Sequence, residues 1–355
     1  MTGVAGVGRA VGRRRFLAGL AAIGLSGLAP RGGAAEVAPP LALLKDGYRR
    51  RILAIRDKGM LPILDIESSY NPYEMNVDTF VQAMDRNGIA VMAASVDMPG
   101  KHYSETNRWS EHSLELASLH PDHFIPTGNG GVHPAWTRHP DRFLDDTEAA
   151  VRERGYPLMG EFEFRHYPSP RQVDRGETFR DVTIPIDGPQ GQRLFALSEQ
   201  TGVAFQLHYE IEDDLLPPLV AMLERYPKAK VIWCHFAQIR YGWRARAYGP
   251  AFLRGLLERF ANLYVDTAFG GPEGVYKPSG EHHAHYWADP KAWQAVINDH
   301  PHRFLAALDL GGDRMDRMDE WSDNLRRFLG SLAPDVADIV AYRSAWRLLF
   351  GEDFP

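Results

Sequence analysis

Short apolar runs recur along the chain, and between them apolar residues return every three or four positions. The runs Ile63–Glu67, Ala90–Val96, Phe124–Gly128, Leu158–Phe164, Val203–His208, Lys230–His235, Leu263–Thr267 and Phe304–Asp309 predict strands. Stretches of helical period lie between most of them, among them Val77–Asn87, Glu111–Leu119, Gln192–Thr201, Asp214–Arg225 and Ala251–Ala261. Leu43 to Arg56 reads as a leading helix with basic residues on its outer face. Parallel strands need crossovers of a dozen or more residues, and these intervals supply them. Eight such strands with interposed helices predict an α/β fold, a single-domain (β/α)8 TIM barrel, over residues 36–355. An open doubly wound sheet is the competing architecture. It normally places a Gly-rich phosphate loop after its first strand, where this chain has Glu67-Ser68-Ser69-Tyr70.

Closing the strands into a barrel gathers their ends on one rim, where metal ligands and catalytic groups collect. Four runs end in reactive side chains: PILDIE at Glu67, VAFQLH at His208, VIWCH at His235 and FLAALD at Asp309. Carboxylates and imidazoles brought together in this way suggest a mononuclear metal site. In the fourth strand, Gly160-Glu161-Phe162-Glu163-Phe164-Arg165-His166, alternation puts Glu161, Glu163 and Arg165 on one face and both phenylalanines on the other. Charges pointing into a barrel are costly unless they serve a site or pair with each other, as Glu163 and Arg165 can. The same alternation points His235 inward and Cys234 toward the helices.

Composition narrows the chemistry. A chain of 355 residues, 44% hydrophobic and 24% charged, has the length for one large barrel core. Residues 1–35 hold five arginines and no acid, so the remainder sets 35 basic against 46 acidic residues and carries a net charge of −11. No basic surface is left to hold nucleic acid. One cysteine, Cys234, excludes an intramolecular disulfide and cysteine-rich zinc or iron–sulfur sites.

The first 35 residues read as an address. Arg13-Arg14-Arg15-Phe16-Leu17 precedes an apolar run from Leu17 to Ala29 and small residues at Gly33 and Ala35. The run is shorter than the ~20 residues a membrane span needs. It resembles a bacterial twin-arginine signal peptide, with Gly12 where Ser or Thr is usual and Ala18 where Lys is common. The resemblance implies export of the folded protein by the twin-arginine machinery to a periplasmic or secreted location. It also implies metal loading before export and no stable membrane anchor after cleavage.

The later strands supply a second resemblance. Gln206-Leu207-His208, Trp233-Cys234-His235, Val265-Asp266-Thr267 and Leu308-Asp309-Leu310 resemble the strand ends of the amidohydrolase superfamily, in particular its metal-dependent hydrolases and non-oxidative decarboxylases. The resemblance covers roughly residues 60 to 350. It implies that His208 binds metal, that His235 binds metal or a substrate group, and that Asp309 binds metal and handles a proton. Strand one departs from the pattern, with Glu67-Ser68-Ser69 where most members carry His-x-His. Some decarboxylases of the branch hold one divalent ion through a glutamate there, a strand-five histidine and a strand-eight aspartate, and Glu67, His208 and Asp309 match that set. Gly160-Glu161 resembles members whose strand-four glutamate is a ligand, which adds Glu161. Two carboxylates and one imidazole suit Mn²⁺ or Zn²⁺ with open water positions. A barrel that has lost its metal is the alternative.

Other residues are candidates for reading a small-molecule substrate. Arg165 and Arg240 offer fixed forks for a carboxylate, or form ion pairs. Asn129 and His133 follow strand three in the Gly-rich loop TGNGGVHP. His282-His283-x-His285 falls in a polar excursion and reads as a solvated loop or lid. Asp266 either orients His235 or caps a turn. Asp313, Asp316 and Asp319 read as an exposed helix start.

Three functions follow. A metal-dependent hydrolase would attack an ester, lactone or amide with activated water, Asp309 as base and His235 or an arginine on the oxyanion. A metal-dependent decarboxylase would protonate the ring carbon of an aromatic or enolic acid through Asp309. A binding protein on a retired barrel would do neither. The export signal favours hydrolysis.

Overall fold

Each of the eight predicted strands is present, and all eight lie parallel in one sheet in chain order: β1 Ile63–Tyr70, β2 Ile89–Val96, β3 Phe124–Gly128, β4 Leu158–His166, β5 Ala204–Tyr209, β6 Val231–Trp233, β7 Leu263–Asp266 and β8 Phe304–Leu305. This is the computed structural model of the chain. It describes residues 41–355 apart from 71–75, 97–109, 129, 132, 169, 240–247, 269–274, 277–280, 283–284 and 312–315. Helix α1, Leu41–Asp57, leads into β1. One principal helix follows every strand: α2 Val77–Asn87, α3 Ser110–Leu119, α4 Pro140–Arg152, α5 Pro189–Thr201, α6 Leu216–Arg225, α7 Pro250–Arg259, α8 Pro290–Asp299 and α9 Met318–Gly330. The alternation makes a (β/α)8 barrel. No helix among the described residues is long and apolar enough to cross a membrane.

The helix limits follow local chemistry. Asn76 caps α2 by accepting from the N–H groups of Asp78 at 2.9 Å and Thr79 at 3.2 Å. Gly88 ends α2 at φ 65°, a left-handed conformation that costs glycine little.

The barrel closes between β1 and the chain just beyond β8. Ile66 N–H donates to Ala306 O at 3.0 Å, Asp309 N–H to Glu67 O at 3.0 Å and Ser69 N–H to Leu310 O at 2.6 Å. Side chains reinforce this seam. Asp65 accepts from Leu308 N–H at 3.0 Å and from the Ser68 hydroxyl at 2.6 Å, while Ser68 Oγ accepts from Leu310 N–H at 3.2 Å. The regular ladder of β8 ends early because Ala306 N–H donates to Val340 O, in the π-helical turn Ile339–Arg343 of the C-terminal segment. Inside the barrel, Gln206 Nε2 donates to Ile66 O.

Phe162 and Phe164 face the helices as alternation predicts. Their rings lie 5.5 and 5.3 Å from that of Trp136, and all three side chains are fully buried. Register shifts in the β4–β5 pairing, between Met159 and Phe162 and between Glu163 and Arg165, break the even spacing of the opposite face.

Candidate active site

The strand ends bring Glu67, Glu161, His208, His235 and Asp309 together. One carboxylate oxygen of Glu161 lies 2.8 Å from His208 Nδ1 and 2.8 Å from His235 Nε2. The far nitrogen of His208, Nε2, is 3.3 Å from Glu210 Oε1. Two groups of possible metal ligands result, each with its donor atoms within 4.8 Å of one another: Glu161, His208 and His235, and Glu67, His235 and Asp309. The expected set of Glu67, His208 and Asp309 is thus divided, and His235 belongs to both groups.

Two of these residues sit on unusual backbone. The β6 ladder stops at Trp233, and His235, Phe236, Ala237 and Gln238 follow with φ of 57°, 54°, 56° and 55°. A left-handed non-glycine residue costs about 1 kcal/mol or more, so this turn is held by its surroundings. Asp266 at the end of β7 is one holder: its Oδ1 accepts from His235 N–H at 2.8 Å and Ala268 N–H at 3.1 Å, and lies 3.9 Å from His235 Nδ1. It both caps the turn and flanks the imidazole. His235 therefore reaches the site through this turn rather than through strand alternation. Cys234, expected toward the helices, is buried with its thiol donating to the Ile232 carbonyl oxygen at 3.7 Å. Asp309 is likewise left-handed, at φ 50°, where the chain leaves the seam.

Burial raises the Glu67 carboxyl well above its usual range, and the neighbouring Asp309, Glu161, Asp266 and Asp65 push the same way. For Glu161 burial acts in that direction too, but His208 and His235 outweigh it and hold the group well below the usual carboxylate range. Burial opposes the charged form of His208, yet Glu161 and Glu210 lift it to about 9. The cluster is acid-rich, and Glu67 Oε2 is buried with no hydrogen-bond partner among the described residues. A buried carboxyl of this kind either keeps its proton or meets a cation. Glu, Asp and His are donors that Zn²⁺ or Mn²⁺ accepts, so the residues present fit a divalent ion.

The substrate candidates separate. Arg165 is held by Asp181 at 2.5 Å and Glu212 at 3.4 Å, with its guanidinium 3.9 Å over the Tyr167 ring, and it does not pair with Glu163. His133 binds the Thr137 hydroxyl at 2.7 Å and lies 4.8 Å from the Phe179 ring. Asn129 and Arg240 lie outside the described residues, as do the first 35 residues, His283 and Asp313. Asp319 starts α9 and pairs with Arg86 at 2.9 Å on the surface.

Glu210, His166 and Arg180 join the site's surroundings without having been singled out in the sequence, and Gln238 is buried in the turn that follows His235. Glu210 stands two beyond His208, so strand period alone puts it on the same face. Gln238 is fully buried, and neither amide atom has a hydrogen-bond partner among the described residues. Its signal was only its place one turn after His235. Glu163, 1% exposed, pairs with Arg180, and the His166 ring lies 4.6 Å from that of His208, tilted 46° to it. Arg180 arrives from a loop between β4 and α5, which periodicity does not describe.

A (β/α)8 barrel with acids and imidazoles converging at its strand ends defines the active site of a metal-dependent enzyme. The chain belongs to the amidohydrolase family, whose model matches residues 67–305. No curated protein matches it. In solved structures it is similar to a 2,6-dihydroxybenzoate decarboxylase complexed with 2,6-dihydroxybenzoate, at 14% identity and TM-score 0.55, covering 82% of this chain and 99% of that one. The 2,6-dihydroxybenzoate decarboxylase from Rhizobium gives 14% identity, TM-score 0.53 and the same coverage. An amidohydrolase II structure gives 14% and 0.51, over 81% of this chain and 99% of that one. At this identity the likeness describes the fold.

Proposed function

We propose that the protein is a metal-dependent hydrolase of a small ester, lactone or amide. The observation that carries this reading is the convergence of Glu67, His235 and Asp309 within 4.8 Å, which puts cation ligands, a base and an imidazole donor in one buried place. A divalent ion, Zn²⁺ or Mn²⁺, would be held by Glu67, Glu161, His208 and Asp309 and would supply Lewis acidity and a more acidic water. Asp309 accepts the proton released as water attacks the carbonyl and passes it to the leaving group. His235, oriented by Glu161 and by Asp266 on its backbone N–H, hydrogen-bonds the developing oxyanion. Burial of Glu67 and His235 keeps bulk water away and strengthens each of these interactions.

Non-oxidative decarboxylation is the second reading. Glu67 and Ser69 in place of a histidine pair favour it, as do the fold relatives that act on dihydroxybenzoate. The export reading rests on Arg13-Arg14-Arg15-Phe16-Leu17 and the apolar run that follows, and loss of periplasmic protein in Arg13→Lys, Arg14→Lys tests it. For the reaction, elemental analysis of the purified mature protein is paired with a panel of esters, lactones and amides. Stoichiometric Zn or Mn, turnover of one class, and its loss in Asp309→Asn are expected. Carbon dioxide release from a hydroxybenzoate without ester, lactone or amide turnover establishes the second reading instead. Absence of metal together with unchanged ligand binding in Glu67→Ala makes the barrel a binding protein.

A further inference from the structure

We infer that Glu210 is a positioning residue: it holds the proton of the His208 ring on Nε2 and so presents Nδ1 to a metal ion. The inference rests on His208 being a metal ligand and not on which reaction follows.

Both nitrogens of the His208 ring face carboxylates. Nδ1 lies 2.8 Å from Glu161 Oε1, the same oxygen that lies 2.8 Å from His235 Nε2. Nδ1 is therefore on the side where Glu161, His208 and His235 converge as possible ligands. Nε2, across the ring, lies 3.3 Å from Glu210 Oε1, and Glu210 belongs to neither group of possible ligands. A neutral imidazole carries one proton and ligates through its other nitrogen. A ring that binds metal through Nδ1 must then keep its proton on Nε2 and donate it, and a carboxylate is a common acceptor for that N–H. Glu210 stands where that acceptor is needed.

Backbone contacts fix the acceptor in place. Strand period sets Glu210 on the face of His208. Its own N–H donates to Arg165 O at 3.1 Å, which carries the β4–β5 pairing one residue past Tyr209. The preceding carbonyl, that of Tyr209, accepts from Trp233 Nε1 on β6 at 2.8 Å. The Glu210 side chain is 1% exposed, so bulk water does not compete for the Nε2 proton. Packing against His166 is a separate constraint. The two rings lie 4.6 Å apart, and His166 Nδ1 is itself 2.6 Å from Arg180 O. Such a contact restrains the plane of the His208 ring, but it does not decide which nitrogen carries the proton. His235 is held in another way: Asp266 Oδ1 stands 3.9 Å from its Nδ1, too far for a hydrogen bond, and grips the backbone N–H at 2.8 Å instead.

Two measurements test this, and neither reads turnover. Zn²⁺ affinity is determined by competition with a chelating dye, and the ring protons by long-range ¹H–¹⁵N correlation on Zn²⁺-loaded protein labelled at histidine. The His208 signal is the one that His208→Ala removes. Wild type is expected to carry the His208 proton on Nε2. Glu210→Ala is expected to weaken Zn²⁺ about 10- to 100-fold and to lose the fixed Nε2 proton while keeping the wild-type circular dichroism spectrum. Glu210→Gln, whose amide oxygen still accepts from Nε2, is expected to bind within about fivefold of wild type, the difference between a charged and a neutral acceptor. Added to His208→Ala, Glu210→Ala is expected to change affinity by less than about twofold, because no ring is left to orient. Unchanged affinity in Glu210→Ala overturns the inference alone, as does equal weakening with and without His208, or a wild-type proton on Nδ1. Should the alanine variant not fold, the proton position in wild type decides. Wild type without Zn²⁺ affinity overturns the inference together with the metal reading.

Discussion

Asp65 accepts a hydrogen bond from the backbone N–H of Leu308 at 3.0 Å, joining the first strand of the barrel to the last across 243 residues. The same carboxylate holds the Glu67 N–H at 3.2 Å and the Ser68 hydroxyl at 2.6 Å. It thereby positions Glu67 and steadies the seam from which Asp309 emerges.

Removing that carboxylate orphans three buried donors. Asp65→Ala is expected to lower unfolding stability by about 3 kcal/mol, and Asp65→Asn, which keeps one acceptor oxygen, by about 1 kcal/mol. Urea denaturation of the three proteins measures both. A loss below about 0.5 kcal/mol for the alanine variant, the range of an ordinary surface change, would show the seam to be held by backbone bonds alone.

The same residue shapes the pH dependence. Burial lifts the Asp65 carboxyl from 3.8 to about 7, against hydrogen bonds from Ser68, Leu308 and Glu67. Between those values the folded protein keeps a proton that the unfolded chain has lost, so this group's contribution to stability falls as pH rises from 3.8 to about 7 and then levels off. Melting temperatures at several pH values in that window are expected to fall less steeply in Asp65→Asn. An identical slope in the two metal-free proteins would contradict the assignment.

Metal binding couples to folding through the acid cluster. Chelation is expected to lower the melting temperature, and Zn²⁺ or Mn²⁺ at a hundredfold excess over its Kd to restore about 2.7 kcal/mol. Glu67→Gln removes the carboxylate whose buried Oε2 has no hydrogen-bond partner among the described residues, and is expected to abolish most of that rescue. Glu161→Gln is expected to weaken metal affinity by about 10- to 100-fold, since its oxygen contacts both imidazoles. Differential scanning fluorimetry with metal titration reads all three.

The left-handed turn after β6 makes an inverted prediction for glycine. Ala237 holds φ 56°, so Ala237→Gly relieves about 1 kcal/mol of backbone strain and offsets the entropy that glycine adds to the unfolded chain. It is expected to be neutral, where the same change inside an ordinary helix costs about 1 kcal/mol. Gln238→Met replaces a buried amide without partners among the described residues and is expected to leave stability unchanged or raise it by about 1 kcal/mol. Chemical denaturation decides each, and a loss above 1 kcal/mol in either would show that the turn depends on contacts of that side chain.

Strand and helix limits were largely legible before the fold was known. The helix predicted over Val77–Asn87 is present with those bounds. This is possible because hydrophobic period is a local property, printed in each segment whatever its neighbours do. Glu67, Glu161, His208, His235 and Asp309 were legible for the same reason, since each ends or interrupts an apolar run.

Partnership was not legible, because it depends on backbone that departs from period. Alternation placed Glu163 beside Arg165 on one face, but the register shift between them sends Glu163 to Arg180 and Arg165 to Asp181 and Glu212. Alternation also treated His235 as a strand residue, whereas four consecutive left-handed residues carry it to Glu161 and into both ligand groups. The sequence by itself determined the barrel and the side chains at its strand ends, because burial of apolar faces acts at short range along the chain. Which of those side chains meet was decided by the tertiary structure. Bulges, turns and the returning loop after β4 move them by distances comparable to a hydrogen bond, and only closure of the barrel selects those positions.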